Sequence, residues 1–142
     1  MNLPKLVHTR SKSPDQVNIF MDPGTAFGTG KHQTTALCLN WLEKNVCKGN
    51  SVINLGCGSG ILAIAAKKLG ATKVVAIDND LQAIPASYAN ATKNAINTEF
   101  TAHLITQAPK EFQASILVAN ILAGILIELL PMIQSYVEKL EN

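Results

Sequence analysis

The segment Ser51-Val52-Ile53-Asn54-Leu55 is a short apolar strand that runs directly into Gly56-Cys57-Gly58-Ser59-Gly60. The apolar stretch Ile61 to Leu69 follows as a helix. A buried strand feeding a helix through a glycine-rich turn restricts the chain to an α/β sheet. Such a turn builds a cradle for a nucleotide-like ligand, because glycine lets the backbone approach and the helix N-terminus offers N–H groups. A second strand, Lys73 to Ile77, ends on Asp78, about twenty residues beyond the turn, where an acid grips ribose hydroxyls. An acid ending a strand also serves as a helix cap. Glycine turn and spaced acid together describe a cofactor site.

The glycine spacing narrows the cofactor. A dinucleotide fingerprint requires G-x-G-x-x-G. Here Ile61 holds the third position and the glycine falls one residue early, at Gly60, which disfavours an NAD-binding module. The resulting G-x-G-x-G form is similar to that of S-adenosylmethionine (SAM) methyltransferases. Gly30-Lys31 invites a phosphate-loop reading, but Thr25 stands where that loop needs glycine and His32 where it needs Ser or Thr.

The 142 residues suffice for about one domain with a single core. A hydrophobic content of 47%, a charged content of 15% and a net charge of +2 fit a globular protein with no case for direct nucleic-acid or anionic-membrane binding. The longest apolar stretch, Ile121 to Met132, is interrupted by Glu128 and is too short to span a bilayer. Cys38, Cys47 and Cys57 lack metal-ligand spacing and read as small buried residues in a reducing cytoplasm.

Met1 to about Val17 is polar, basic and aperiodic, and reads as a linker. The glycine-rich loop Asp22 to His32 leads into a helix from Thr34 or Thr35 to Lys44, with Leu37, Trp41 and Leu42 expected in the core. Alternation then predicts strand 51–55, helix 60–69, strand 73–77, helix 81–94, strands 101–105 and 115–119, and a helix over 125–139. Interior proline is costly, so regular helix after Asp78 is expected to start at or near Pro85. The expected fold class is α/β, an incomplete Rossmann-like parallel sheet of about four strands with helices on both faces.

Three motifs, in this order, resemble the ribosomal-protein L-eleven methyltransferase family (PrmA). They are Asp22-Pro23-Gly24 through Gly30 with His32 and Thr34-Thr35, then Gly56-Cys57-Gly58-Ser59-Gly60-Ile61-Leu62-Ala63, then Ala119-Asn120-Ile121-Leu122-Ala123-Gly124. The resemblance implies a class I SAM-dependent methyltransferase fold cut at both ends. Residues 1–20 would be a linker or the remnant of a substrate-recognition domain, and residues 21–142 a partial SAM-binding domain lacking its last strands. The strands so lacking pair beside the fourth, which would leave Ile116 to Val118 as an apolar sheet edge.

By the same resemblance, Gly56, Gly58 and Gly60 lie against the methionine part of SAM, Asp78 against the ribose, and Thr35 and Asn120 are cofactor contacts. Asn120 is also the expected catalytic residue, accepting a hydrogen bond from the incoming amine. His32 is either a proton acceptor or a loop histidine bonded to backbone. The implied activity is methylation of amino groups, N-terminal or lysine, on a large-subunit ribosomal protein in the cytoplasm. The alternative is a non-catalytic truncated remnant with weak or no SAM binding. Three positions depart from the pattern: Asn54 replaces a carboxylate before the turn, Lys31 a threonine, and Pro85 interrupts the segment after Asp78.

Overall fold

The computed structural model describes residues 5–7, 16–21, 32–121 and 123–137. Two short strands, β1 (Lys5–Val7) and β2 (Gln16–Asn18), pair in parallel inside the stretch expected to be a linker or the remnant of another domain. The helix α1 (His32–Asn45) follows, and then the α/β body: β3 (Ser51–Leu55), α2 (Ile61–Lys68), β4 (Lys73–Asp78), α3 (Ala83–Lys93), β5 (Phe100–Leu104) and β6 (Ile116–Ala119). The chain closes with α4 (Ala123–Glu128) and α5 (Leu130–Val137).

Strands β3 to β6 form one parallel sheet in the order β5-β4-β3-β6. The chain steps outward from β3 through β4 to β5, then crosses back to lay β6 on the other side of β3. The C-terminal ends of β3 and β6, neighbours reached from opposite directions along the sheet, therefore mark a topological switch point, where open α/β sheets hold their ligands.

Strand alternation sorts the core. Val52, Val74, Ala76, Phe100, Ala102 and Val118 face the helices α1, α2 and α3. Ile53, Leu55, Val75 and Ile77 face the other way, onto a cluster that includes Tyr136, Met132 and Ile133 of α5. Helices thus cover both faces, as the sequence predicts. Strand β6 lies at the sheet edge, with Val118 buried and Ile116, Leu117 and Ala119 half-buried.

In α1, Thr35, Leu39 and Leu42, continued by Val46 just past its end, form the inward stripe, at the spacing one helix face requires. Leu37 and Trp41, one turn apart on the outward side, are 69% and 47% exposed and not core residues as expected. Among the cysteines only Cys57 is buried; Cys38 is half-buried and Cys47 exposed, so the expectation of three buried thiols fails.

Helix α3 begins at Ala83, with Pro85 as its third residue. Proline in a first turn forfeits nothing, because those N–H groups have no intrahelical acceptor. The final apolar run is two helices, not one, with a turn at Leu129. Pro131 has no N–H to give to the carbonyl of Ile127, and it sits instead in the first turn of a new helix. No helix among the described residues is long and apolar enough to cross a membrane.

The stretch before α1 is tied to the body through Ile19 and Phe20. Ile19 is fully buried in the core. The Phe20 N–H donates to Asn94 Oδ1 at 2.8 Å, and Asn94 Nδ2 donates back to the Phe20 carbonyl at 2.7 Å. The Lys68 ammonium lies 5.4 Å from the centre of the Phe20 ring, within cation–π range.

Candidate functional site

Every glycine of the turn has a reason that precedes any ligand. Gly56 has φ +78°, and a Cβ there would collide with Ile121 Cγ2 and come within 3.2 Å of the Asn120 carbonyl oxygen. Gly58 has φ +52°. Gly60, at φ +89°, starts α2, and its added Cβ would stand 3.0 Å from Ser87 Oγ and 3.1 Å from Ser87 Cα. The left-handed conformation costs an L-residue about 1–2 kcal/mol. The first glycine thus lets the end of β6 close on β3, and the last lets α2 pack on α3.

The turn is also locked by hydrogen bonds. Gly56 and Cys57 both donate to the Ile77 carbonyl, at 2.7 and 3.1 Å, and Gly60 donates to the Cys57 carbonyl at 2.7 Å. Gly58 donates to Asp78 Oδ2 at 2.8 Å. These N–H groups, which the motif suggested would face a ligand, are therefore committed inside the protein.

Asp78 joins the two strand-end turns. Its Oδ1 accepts from the Asp80 N–H at 2.8 Å while Oδ2 holds Gly58. A carboxylate oxygen accepts more than one hydrogen bond, so each retains capacity for a hydroxyl. Beside it, Leu104 pairs in register with Asp78 across β4 and β5. Leu104, Leu81, Ile84, Pro85 and Ala102, with His103 and Gln107, line a mainly apolar cleft of about 330 Å³. A larger one, about 730 Å³, lies away from this corner, at the strand starts Ser51 and Lys73.

On the other side of the switch point, Asn120 follows β6 directly. Its N–H donates to the Leu55 carbonyl at 3.2 Å. Its side-chain Nδ2 donates to Thr35 Oγ1 at 3.0 Å, across 85 residues of sequence. The structure therefore brings Thr35, Gly56 and Asn120 to one corner and clasps Gly58 to Asp78 at its neighbour. Lys31 and the loop 22–30 lie outside the described residues, as does the side chain of His32.

Asn54 is completely buried and flanked in the sheet by Ala76 and Val118, so it does not line the crevice. Neither its Oδ1 nor its Nδ2 has a partner among the described residues. Cys57 Sγ lies 3.4 Å from Ser87 Oγ. Burial above all, with the nearby Asp78 charge adding, pushes its thiol up to about 11 against the Ser87 hydrogen bond, which leaves it a poor nucleophile.

Residues of α3 complete the support, and they were missed in the sequence. Ser87 Oγ donates to the Gly58 carbonyl at 3.2 Å, and Asn90 Nδ2 to the Ser59 carbonyl at 2.9 Å. Ser87 and Asn90 on the alanine-rich α3, and Asn94 capping its end, recur at helical spacing. That polar stripe, all buried, was the available signal.

A parallel sheet with a switch point beside its first strand, a glycine turn there and an acid ending the next strand define a Rossmann-like methyltransferase fold. The model of the family "Ribosomal protein L11 methyltransferase (PrmA)" matches residues 3–140, and the chain belongs to that family. The ribosomal protein L11 methyltransferase of Shewanella sediminis is 58% identical over 125 residues, which is 88% of this chain and 43% of that protein. The chain thus spans less than half the length of such relatives. The crystal structure of a ribosomal protein L11 methylase from Lactobacillus delbrueckii subsp. bulgaricus superposes with a TM-score of 0.79 at 35% identity, covering 98% of this chain and 73% of that one. An RNA methyltransferase from Salinibacter ruber, at 17% identity and a TM-score of 0.62 over 75% of this chain and 69% of its own, shares the fold.

Proposed function

We propose that this chain is the cofactor-binding part of a SAM-dependent protein methyltransferase that modifies amino groups, N-terminal or lysine, of a large-subunit ribosomal protein. Relatives that share more than half of its residues in the matched region are ribosomal protein L11 methyltransferases. The observation that carries the reading is the placement of Asn120 and the glycine turn on either side of one switch point, with Asp78 clasped to that turn.

The residues fit SAM. Asp78 has lone pairs left for two neighbouring ribose hydroxyls, and the apolar cleft beside it suits a flat base joined to that ribose. When bound, SAM supplies an electrophilic methyl group on a sulfonium. The protein's part is alignment for an in-line displacement. Asn120 Oδ1, without a partner among the described residues, accepts an N–H from a neutral amine and turns the nitrogen lone pair toward the methyl carbon. With SAM bound, its methyl group would pass to that nitrogen while sulfur kept the bonding electron pair, and the ammonium so formed would release a proton to solvent. A neutral amide suits this step, since a carboxylate there would hold the amine protonated.

Thermal unfolding of the full chain with and without SAM tests the cofactor reading. A ligand at about a hundred times its dissociation constant adds roughly 2.7 kcal/mol, which raises the midpoint by several degrees for a domain of this size. A cooperative transition that SAM leaves unmoved would refute it, and would favour the reading as a non-catalytic remnant.

A further inference from the structure

We propose that Thr35 acts as a positioning residue: its buried hydroxyl fixes which end of the Asn120 amide faces the crevice, and so selects the acceptor for the incoming amine. This deepens the proposed function and rests on it for its consequence, though not for its geometry. Thr35 lies in the first turn of α1 and is 3% exposed, so its Oγ1 is shielded from water that would otherwise compete for Asn120. Asn120 is held at two points, its main chain to Leu55 and its Nδ2 to Thr35. With the carboxamide plane so anchored, Oδ1 is the end left over.

An amide is nearly symmetric in shape, and only its hydrogen-bond network decides which end is which. Thr35 Oγ1 is the acceptor of the Asn120 Nδ2 bond, and a threonine hydroxyl has lone pairs to accept with whatever its single proton is bonded to. An accepting Oγ1 takes Nδ2 and rejects Oδ1. The reverse orientation would present N–H donors to the crevice. Those would repel both a cationic cofactor and the amine's own N–H. Thr35 thus sets the sign of the local dipole where methyl transfer is proposed to occur, although sequence resemblance gave it only a cofactor contact.

Two measurements on the full chain separate this role from simple support. In isotope-labelled protein, the Asn120 side-chain amide pair is identified by its loss in Asn120→Asp. One proton of that pair is expected to exchange slowly with solvent, to exchange freely in Thr35→Val, and to be slow again in Thr35→Ser. Exchange in a folded Thr35→Val protein as slow as in the parent would overturn the proposal. The second measurement compares binding of S-adenosylhomocysteine with binding of a SAM analogue that carries an ammonium group in place of the methyl sulfonium. Losing the oriented acceptor should lower affinity for the ammonium analogue in Thr35→Val by roughly 3- to 10-fold more than it lowers affinity for S-adenosylhomocysteine. An equal loss for both ligands would make Thr35 a cofactor contact and overturn the proposal. If neither analogue binds the folded parent chain, the SAM reading fails, while the exchange measurement still decides whether Thr35 orients Asn120.

Discussion

Replacing Gly56 with alanine tests whether the turn is built for folding as well as for a ligand. Two costs add. Alanine at φ +78° carries about 1–2 kcal/mol of left-handed strain. Its Cβ also meets Ile121 Cγ2 and approaches the Asn120 carbonyl to 3.2 Å, an overpacking that typically costs about 1–3 kcal/mol. The sum, roughly 2–5 kcal/mol, corresponds to a midpoint lowered by on the order of 10 °C for a domain of this size. Urea unfolding of the parent, Gly56→Ala, Ile121→Ala and the double variant separates the two contributions. Removing Cγ2 relieves the steric part and leaves the backbone part, so the cycle should show a favourable coupling of about 1–3 kcal/mol. Additive effects would refute the contact, and a Gly56→Ala protein as stable as its parent would refute both contributions.

Asn54→Leu exchanges a buried amide, unpaired among the described residues, for an apolar side chain of similar size. Urea unfolding should show a gain of about 1–3 kcal/mol, and a loss would mean the amide has a partner in solution. Cys57 gives a pH dependence. In the unfolded chain its thiol ionises near 9.0, whereas in the fold it keeps its proton to about 11. Its contribution is therefore complete below pH 9 and falls away by pH 11, a loss of up to about 2–3 kcal/mol. Cys57→Ala should lose less stability than the parent over that range in urea unfolding at stepped pH, and parallel curves would contradict the assignment.

Periodicity and punctuation made the sheet legible. The apolar runs around Ile53, Val75 and Val118 and the turns at Gly56 and Gly70 placed the strands and helices of the body within a few residues. The single helix expected over 125–139 failed at Pro131, because a proline that breaks a long helix equally begins a second one. The pairing of Lys5–Val7 with Gln16–Asn18 had no local signal, as such short strands are specified by partners and not by their own pattern. At the site, Gly56 stood out in the glycine turn and Asp78 at its strand end, whereas Asn120 was marked by the resemblance of the segment Ala119 to Gly124 to the family. The bond between Thr35 and Asn120 was invisible because it links positions 85 residues apart, and nothing in either local sequence encodes a partner at that range. Ser87 and Asn90 escaped notice because a small polar residue inside a helix looks like surface until the neighbouring turn is in place.

The double clasp of Asp78 on Gly58 and Asp80 changes what the motif records over evolutionary time. Removing the Asp78 carboxylate orphans two main-chain N–H groups, one in each turn, and a substitution at Gly56 or Gly60 drives a side chain into Ile121 or Ser87. Selection for a folded chain alone would therefore preserve these positions long after selection for methyl transfer had relaxed. The residues whose retention speaks for chemistry are those the fold could spare. Asn120 is foremost among them, since its side chain makes one bond, to Thr35, and its Oδ1 supports no other described residue. In a lineage drifting away from catalysis, that amide should be lost before the glycines are.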